Sequence, residues 1–253
     1  MFGCKMVSTN SFDAIADELE AYRYDAESTM LPFVYTPNSY NLVLFHRGYH
    51  SLFEELKKSA FILPDGYPLV LASRMKKTPL EARLTGADLF NVLWKRIVEE
   101  QKQSVLFITS TREVGAALQK EYAKANYWAP PFFTMDSIVS LESVIAKIYD
   151  NIIRQKPKYV FMGIGDPKQQ YVGLEVFKRL KKQGEHIPVF LFLGASFEFH
   201  LNLRKRAPLL MRNLGFEWLY RFINEPRKLF YRYFVLGWLF IPLMLKEAYG
   251  RPD

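Results

Sequence analysis

Two rhythms of apolar residues alternate along the chain. Short uninterrupted apolar runs, as expected of strands covered on both faces, are separated by segments in which apolar residues return every three or four positions, as expected of amphipathic helices. Strands are predicted at Met30–Tyr35, at the run Phe61-Ile62-Leu63, and at Ser104–Thr109, Lys158–Met162 and Pro188–Leu193. Helices are predicted over Ser11–Tyr22, Ser39–Phe45, Tyr49–Lys58, from Gly86 to about Glu100, and over Thr111–Asn126, Ser137–Gln155 and Tyr171–Gln183. Ser11 has the place of an N-cap, with acids in the turns after it, and the acidic face of that first helix reads as solvated. Pro68–Ser73 is a further apolar run, Arg74–Lys77 a basic loop and Pro130–Phe133 a short segment flanked by proline. The order predicts the α/β class: a Rossmann-like, mostly parallel sheet with crossover helices over residues 1–201, then a helical, basic and aromatic appendage over residues 202–253.

With 253 residues, 49% of them hydrophobic and 16% aromatic, the chain has the means to bury a large core. Its net charge of +8 implies an anionic partner: nucleic acid, an anionic membrane surface or a phosphorylated small molecule. The excess is concentrated late, where Arg204, Lys205, Arg206, Arg212, Arg221, Arg227, Lys228 and Arg232 face only Glu217 and Glu225. Cys4 is the single cysteine, which excludes an internal disulfide and fits a reducing cytosol. The first dozen residues lack the apolar core of a signal peptide. Tyr233–Leu245 is strongly apolar but contains Gly237 and Pro242, and it falls short of the roughly twenty residues a bilayer span needs. Such a stretch suits an interface. His46 and His50 are four apart without the intervening acid or third ligand of a zinc site.

The candidate chemistry lies where strands end. In Phe61-Ile62-Leu63-Pro64-Asp65-Gly66 an apolar run stops at a carboxylate, and the carboxyl edge of an open α/β sheet is where ligands bind. Asp65 there has the place of a general base. Taken alone, the same tripeptide is an ordinary turn signal, and the turn is the commoner case. Thr36 and Asn38 lie at a strand-to-helix turn, where helix capping is their routine task. Gly163-Ile164-Gly165 closes a strand before a helix, a position that favours an anion, although the third glycine of a dinucleotide fingerprint is missing and Pro167 is foreign to it. No Asp-x-Asp, no cluster with metal-ligand spacing, no serine-histidine-acid pattern and no Walker loop occurs. Arginines are then the groups available to neutralise a departing diphosphate. One carboxylate with a cationic clamp suits an inverting sugar transfer from a nucleoside diphosphate.

Taken together and in order, the motifs resemble those of the bacterial WecG/TagA/CpsF glycosyltransferase family. They are Thr36-Pro37-Asn38, Pro64-Asp65-Gly66, Arg83 with Thr85-Gly86-x-Asp88, Gly163-x-Gly165-x-Pro167-Lys168-Gln169, Gly194-Ala195-Ser196-Phe197-Glu198-Phe199, Arg206-Ala207-Pro208, Glu217-Trp218-Leu219-Tyr220-Arg221 and Glu225-Pro226. The resemblance covers almost the whole chain. It implies an inverting enzyme without metal or other cofactor that moves N-acetylmannosamine, its uronic acid or glucose from a UDP-sugar to a polyprenyl-diphosphate-linked saccharide in cell-surface polysaccharide or teichoic acid synthesis. It implies a cytoplasmic location, peripheral on the inner face of the bacterial plasma membrane, with the oligomeric state open. By the same resemblance Asp65 is the base and Thr36 lies beside the donor sugar. Asn38, Arg83, Gly86, Asp88 and Gln169 fall in the substrate site, and the appendage brings Arg206, Arg221, Arg227 and Arg232 over the diphosphate while meeting the membrane.

The chain departs from the family pattern at Gln170, where glutamate is usual, at Pro64 for alanine, at Glu198 for aspartate, at Asn202 near a usual glycine and at Lys228 for arginine. Arg206 and Glu217 read equally well as a structural ion pair. Trp218, Tyr220, Phe222, Phe230, Tyr231 and Tyr233 read first as packing residues. Their interleaving with cations suits either an interfacial segment or a helix docked on the core. The competing reading of the whole chain is a non-enzymatic basic protein that binds anionic membrane or nucleic acid, and it predicts binding indifferent to Asp65. Nucleic acid is the poorer partner, since no recognised binding motif occurs.

Overall fold

The computed structural model describes residues 1–75, 79–213, 215–231, 234 and 236–249. In chain order the elements are α1 (Phe12–Ala21), β1 (Leu31–Tyr35), α2 (Ser39–Gly48), α3 (His50–Leu56), β2 (Ser59–Ile62), α4 (Tyr67–Ser73), α5 (Gly86–Glu100), β3 (Val105–Ile108), α6 (Arg112–Glu121), β4 (Ala125–Trp128), α7 (Ile138–Gln155), β5 (Tyr159–Met162), α8 (Lys168–Gln183), β6 (Val189–Phe192), α9 (Ser196–His200), α10 (Leu209–Asn213), α11 (Glu217–Asn224), α12 (Pro226–Phe230) and α13 (Leu236–Tyr249).

All six strands run parallel in the order β2-β1-β6-β5-β3-β4. β1, β3, β5 and β6 are buried along their whole length, which is why they read as continuous apolar runs. One face carries a core in which Phe33 meets Phe177, Phe190 and Phe192 edge to face, covered by α2, α3, α7 and α8. On the other face Phe90, Phe107, Phe161 and Phe197 pack together under α1, α5, α6 and α9. Such ring contacts add about 0.5–1.5 kcal/mol each beyond the area they bury. After β1 the chain leaves to the first face and after β6 to the second, so the two neighbouring strands part at their carboxyl ends and open a crevice.

Three expectations are corrected. The helix predicted over Thr111–Asn126 stops at Glu121, and Ala125–Trp128 is an edge strand. Its residues Asn126, Tyr127 and Trp128 are only half-buried, so no apolar run marks it. The helix predicted to start at Tyr171 starts at Lys168. The acidic face of α1 is not merely solvated, because Asp13 and Asp17 receive the guanidinium of Arg96 from α5 at 2.7 and 2.6 Å.

The late helices return to the sheet domain. α13 packs along α2, and its Phe240 is buried in the first core, 5.8 Å ring to ring from Phe2. The same helix leaves Trp238 exposed, so core docking and an exposed aromatic surface coexist. Among the described residues no helix is long and apolar enough to cross a membrane.

Gly173 on α8 marks a close helix-to-sheet contact. A Cβ there would stand 2.5 Å from the ring of Phe192, which has no room to move beside Phe33. Gly173→Ala is expected to lower stability by about 1–3 kcal/mol in urea unfolding. Gly48→Ala, whose new methyl meets nothing within 4 Å, is expected to raise stability by up to about 1 kcal/mol. Equal effects at the two glycines would contradict this packing.

Candidate active site

The loops after β1, β2 and β6 are laced together at the crevice. Leu63 donates its N–H to the Tyr35 carbonyl at 2.8 Å, Asp65 to Pro37 at 2.9 Å, and Leu84 to Pro64 at 2.9 Å. The Thr36 hydroxyl donates to the Phe192 carbonyl at the end of β6, 3.1 Å away. Gly86 opens α5 against these strand ends: a Cβ on it would lie 3.2 Å from Leu193 and 3.5 Å from both Ser196 and Thr36. Gly66 has φ 139°, a conformation that needs glycine, and it turns the chain beside Asn38. Asp65 is thereby held half-buried at the crevice and does not face freely outward.

A rim of amides runs from α2 to β6. Asn38 and Asn41 cap α2 reciprocally, each side chain accepting from the other's backbone N–H at 3.0 and 3.1 Å. Asn41 also donates to Asp166 at 2.9 Å, and Asp166 accepts from Gln169 at 2.9 Å and from Gln170. Gln169 in turn accepts the Gly194 N–H at 3.2 Å, which fixes the loop after β6. The role of Gln169 seen here is therefore to brace the edge of the crevice. Asp166 fills the strand-to-helix position with the chain's own carboxylate.

The charged half of the site comes from the C-terminal segment. Arg83 on the core pairs with Glu217 of α11 at 3.0 Å, and Asp88 in the first turn of α5 receives Arg206 through two bonds of 2.7 and 2.8 Å. Arg212 adds a third approach to Asp88 at 3.4 Å, and Thr85, the N-cap of α5, donates to it at 2.6 Å. Arg206 and Glu217 thus enter ion pairs, but each with a core residue instead of with the other. Burial pushes the Asp88 carboxyl up, while the bonds from Arg206 and Thr85 outweigh it and leave it below the ordinary carboxylate range.

Among the described residues no such bond offsets the burial of Asp65. Desolvation dominates and raises its pKa from 3.8 to about 6, with Arg83 and Arg221 opposing and Glu217 and Asp88 reinforcing the shift. The crevice thus gathers Thr36, Asn38, Asp65, Arg83, Gly86, Asp88, Gln169 and Arg206, with Arg221 half-buried beside them on α11. A cleft of about 250 Å³ next to Arg221, lined by Phe199, Arg204, Lys205 and Tyr220, continues the cationic surface. Arg227 is exposed on α12 and makes no part of this cluster, and Arg232 lies outside the described residues. Asn41 and Asp166 were not picked out from the sequence, and Arg212 was picked out only as one of the late cations. Asn41, three residues after the cap Asn38, carried a capping-box signal; Arg212 reaches Asp88 across more than a hundred residues and carried none.

Residues 2–253 match the family model described as Glycosyl transferase WecG/TagA/CpsF family. Proteins named N-acetylglucosaminyldiphosphoundecaprenol N-acetyl-beta-D-mannosaminyltransferase from Staphylococcus aureus strains MRSA252, MW2 and NCTC 8325 / PS 47 are each 31% identical to the chain over 204 residues. The match covers 80% of this chain and 76% of theirs.

Because the folded chain holds the Asp65 proton more tightly than the unfolded chain, stability falls as pH rises from 3.8 to about 6 and is level above that. The loss is roughly 3 kcal/mol at most. Asp65→Asn removes the charge, so the variant is expected to unfold at higher denaturant than wild type above pH 6, with the difference vanishing near pH 4. Parallel stability curves for the two proteins across that range would refute the burial argument.

Proposed function

The chain belongs to the WecG/TagA/CpsF glycosyl transferase family and is a glycosyltransferase; from that premise we propose that it moves N-acetylmannosamine from a UDP-sugar to a saccharide carried on a polyprenyl diphosphate. The observation that carries this reading is a carboxylate with a pKa near 6, set among arginines at the carboxyl edge of a parallel sheet. Asp65 takes the proton of the acceptor hydroxyl as that oxygen attacks the anomeric carbon, and the bond to the UDP oxygen breaks on the opposite side. A base whose pKa lies close to the working pH is both largely ionised and still able to accept a proton. The beta linkage in the relatives' name fits inversion at an alpha-linked nucleotide sugar.

Charge on the leaving diphosphate is assigned to Arg206, Arg212 and Arg221, with no metal. The nearby carboxylates Asp88 and Glu217 are committed to guanidinium groups, and planar guanidinium suits phosphate oxygens. Thr36 and Asn38 border the base from the β1 side and are assigned to the donor sugar. Arg227 is better assigned to anionic headgroups than to the diphosphate. The exposed apolar residues Leu210, Ile223, Phe230 and Trp238 accompany it on the C-terminal segment. A surface of this kind supports contact with the inner face of the plasma membrane, where a lipid-linked acceptor would be met.

The test is UDP release from UDP-N-acetylmannosamine, its uronic acid and UDP-glucose, with and without a polyprenyl-diphosphate-N-acetylglucosamine analogue. Acceptor-dependent release from the first donor is expected, with a loss of about a hundredfold or more in Asp65→Asn. The wild-type rate is expected to rise with pH through about 6, a limb absent from the residual activity of the variant. Protein that neither binds UDP nor releases it from any of these donors would sink the reading.

A further inference from the structure

A second concave feature, apart from the base and its cations, is an open groove of about 540 Å³ between α2 and the C-terminal helices. Tyr40, Val43, Leu44 and Arg47 form its wall on α2, at the spacing of one helical stripe, and Leu229, Tyr231 and Leu236 form the other wall. Leu42 and Phe45, on the adjoining stripe, are buried in the core. Val43 is buried with them, so on α2 the half-buried Tyr40 and Leu44 and the exposed Arg47 are the groove side chains left with open surface.

Along α2 the groove starts close to the active site. Tyr40 is in the first turn of α2, two residues after Asn38, and Asn38 is the side chain that abuts Gly66 beside Asp65. From Tyr40 to Gly48 the helix rises about 12 Å away from that point. At the far end stand Gly48, where an added Cβ would meet nothing within 4 Å, and the exposed Arg47. Glycine in a helix costs about 1 kcal/mol relative to alanine, and at this position its effect is to leave the end of the groove open.

We infer that this groove holds the isoprenoid chain of the acceptor, so that α2 leads the lipid from Asp65 toward the membrane surface. The inference rests on the transferase reading for the identity of the acceptor. A saccharide with its hydroxyl at Asp65 carries its diphosphate toward the mouth at Tyr40, and the remainder of the acceptor is a linear hydrocarbon without polar groups. The half-buried Leu44 and Leu236 and the exposed Tyr231 match that chemistry, and Arg47 stands where a chain leaving the groove meets anionic headgroups.

The test fills the groove from its open end. Gly48→Phe adds a ring where there is space, outside the catalytic machinery, and Leu44→Asp sets a carboxylate in the wall as an independent change. Binding of a fluorescent geranylgeranyl diphosphate is expected to weaken about tenfold or more in both variants, with UDP affinity and turnover of a water-soluble, short-chain acceptor kept within about twofold of wild type. Unchanged binding of geranylgeranyl diphosphate would overturn the inference. So would a loss confined to phosphatidylglycerol vesicles, which would give the groove to bilayer acyl chains, or a change of oligomeric state in the variants, which would give it to a second copy. If wild type bound the isoprenoid in a Gly48-dependent way yet turned over no donor, the transferase reading would fail and the groove would stand.

Discussion

The site depends on two ion pairs of opposite sense. The sheet domain presents Arg83 and Asp88, and the C-terminal segment returns Glu217 to the first and Arg206 with Arg212 to the second. Each of these charges is largely withdrawn from water, so losing one partner would leave the other desolvated and unpaired, a far larger cost than an exposed pair imposes. The reciprocal arrangement fixes the segment in one register. It also brings a surplus of arginine beside a carboxylate, Asp65, that has no direct guanidinium bond among the described residues. Burial then controls Asp65 and raises its pKa to about 6, which makes its carboxylate a stronger base than an exposed one.

The amide rim shows how the departures from the family pattern are accommodated. Gln169 and Gln170 both donate to Asp166, and a glutamate at residue 170 would set a second carboxylate against the first. The amide at 170 thus fits its neighbour, while its own side-chain oxygen is buried without a partner. Asn202 takes φ 56°, in the left-handed region where asparagine is the usual substitute for glycine. These changes keep the local geometry. The Lys228 side chain lies outside the described residues.

Much of the fold was legible because a parallel sheet buried on both faces writes itself as unbroken apolar runs: β1, β3, β5 and β6 were all found within a residue or two. The edge strand β4 was not, since Ala-Asn-Tyr-Trp lies half open and the helical rhythm before it continues past Tyr122. Helix α1 shows a different limit. Its cap and apolar stripe were visible, but its acids meet Arg96 some eighty residues away, and no local pattern carries that distance.

The candidate site divides in the same way. Local chemistry was readable from the sequence: a carboxylate and a flexible glycine after a strand, capping residues at the next turn, and cations gathered in the last fifth of the chain. Tertiary structure alone decided which cation meets which acid. It drew Arg206 and Arg212 onto Asp88, gave Glu217 to Arg83, left Arg227 in solvent and made Gln169 a brace. The physical reason is range. Hydrogen-bonding preference and apolar periodicity act over a few residues and are written in order along the chain, whereas desolvation and pairing of charge depend on distance in space, which exists only once both faces of the sheet are covered and the C-terminal segment has closed over the crevice.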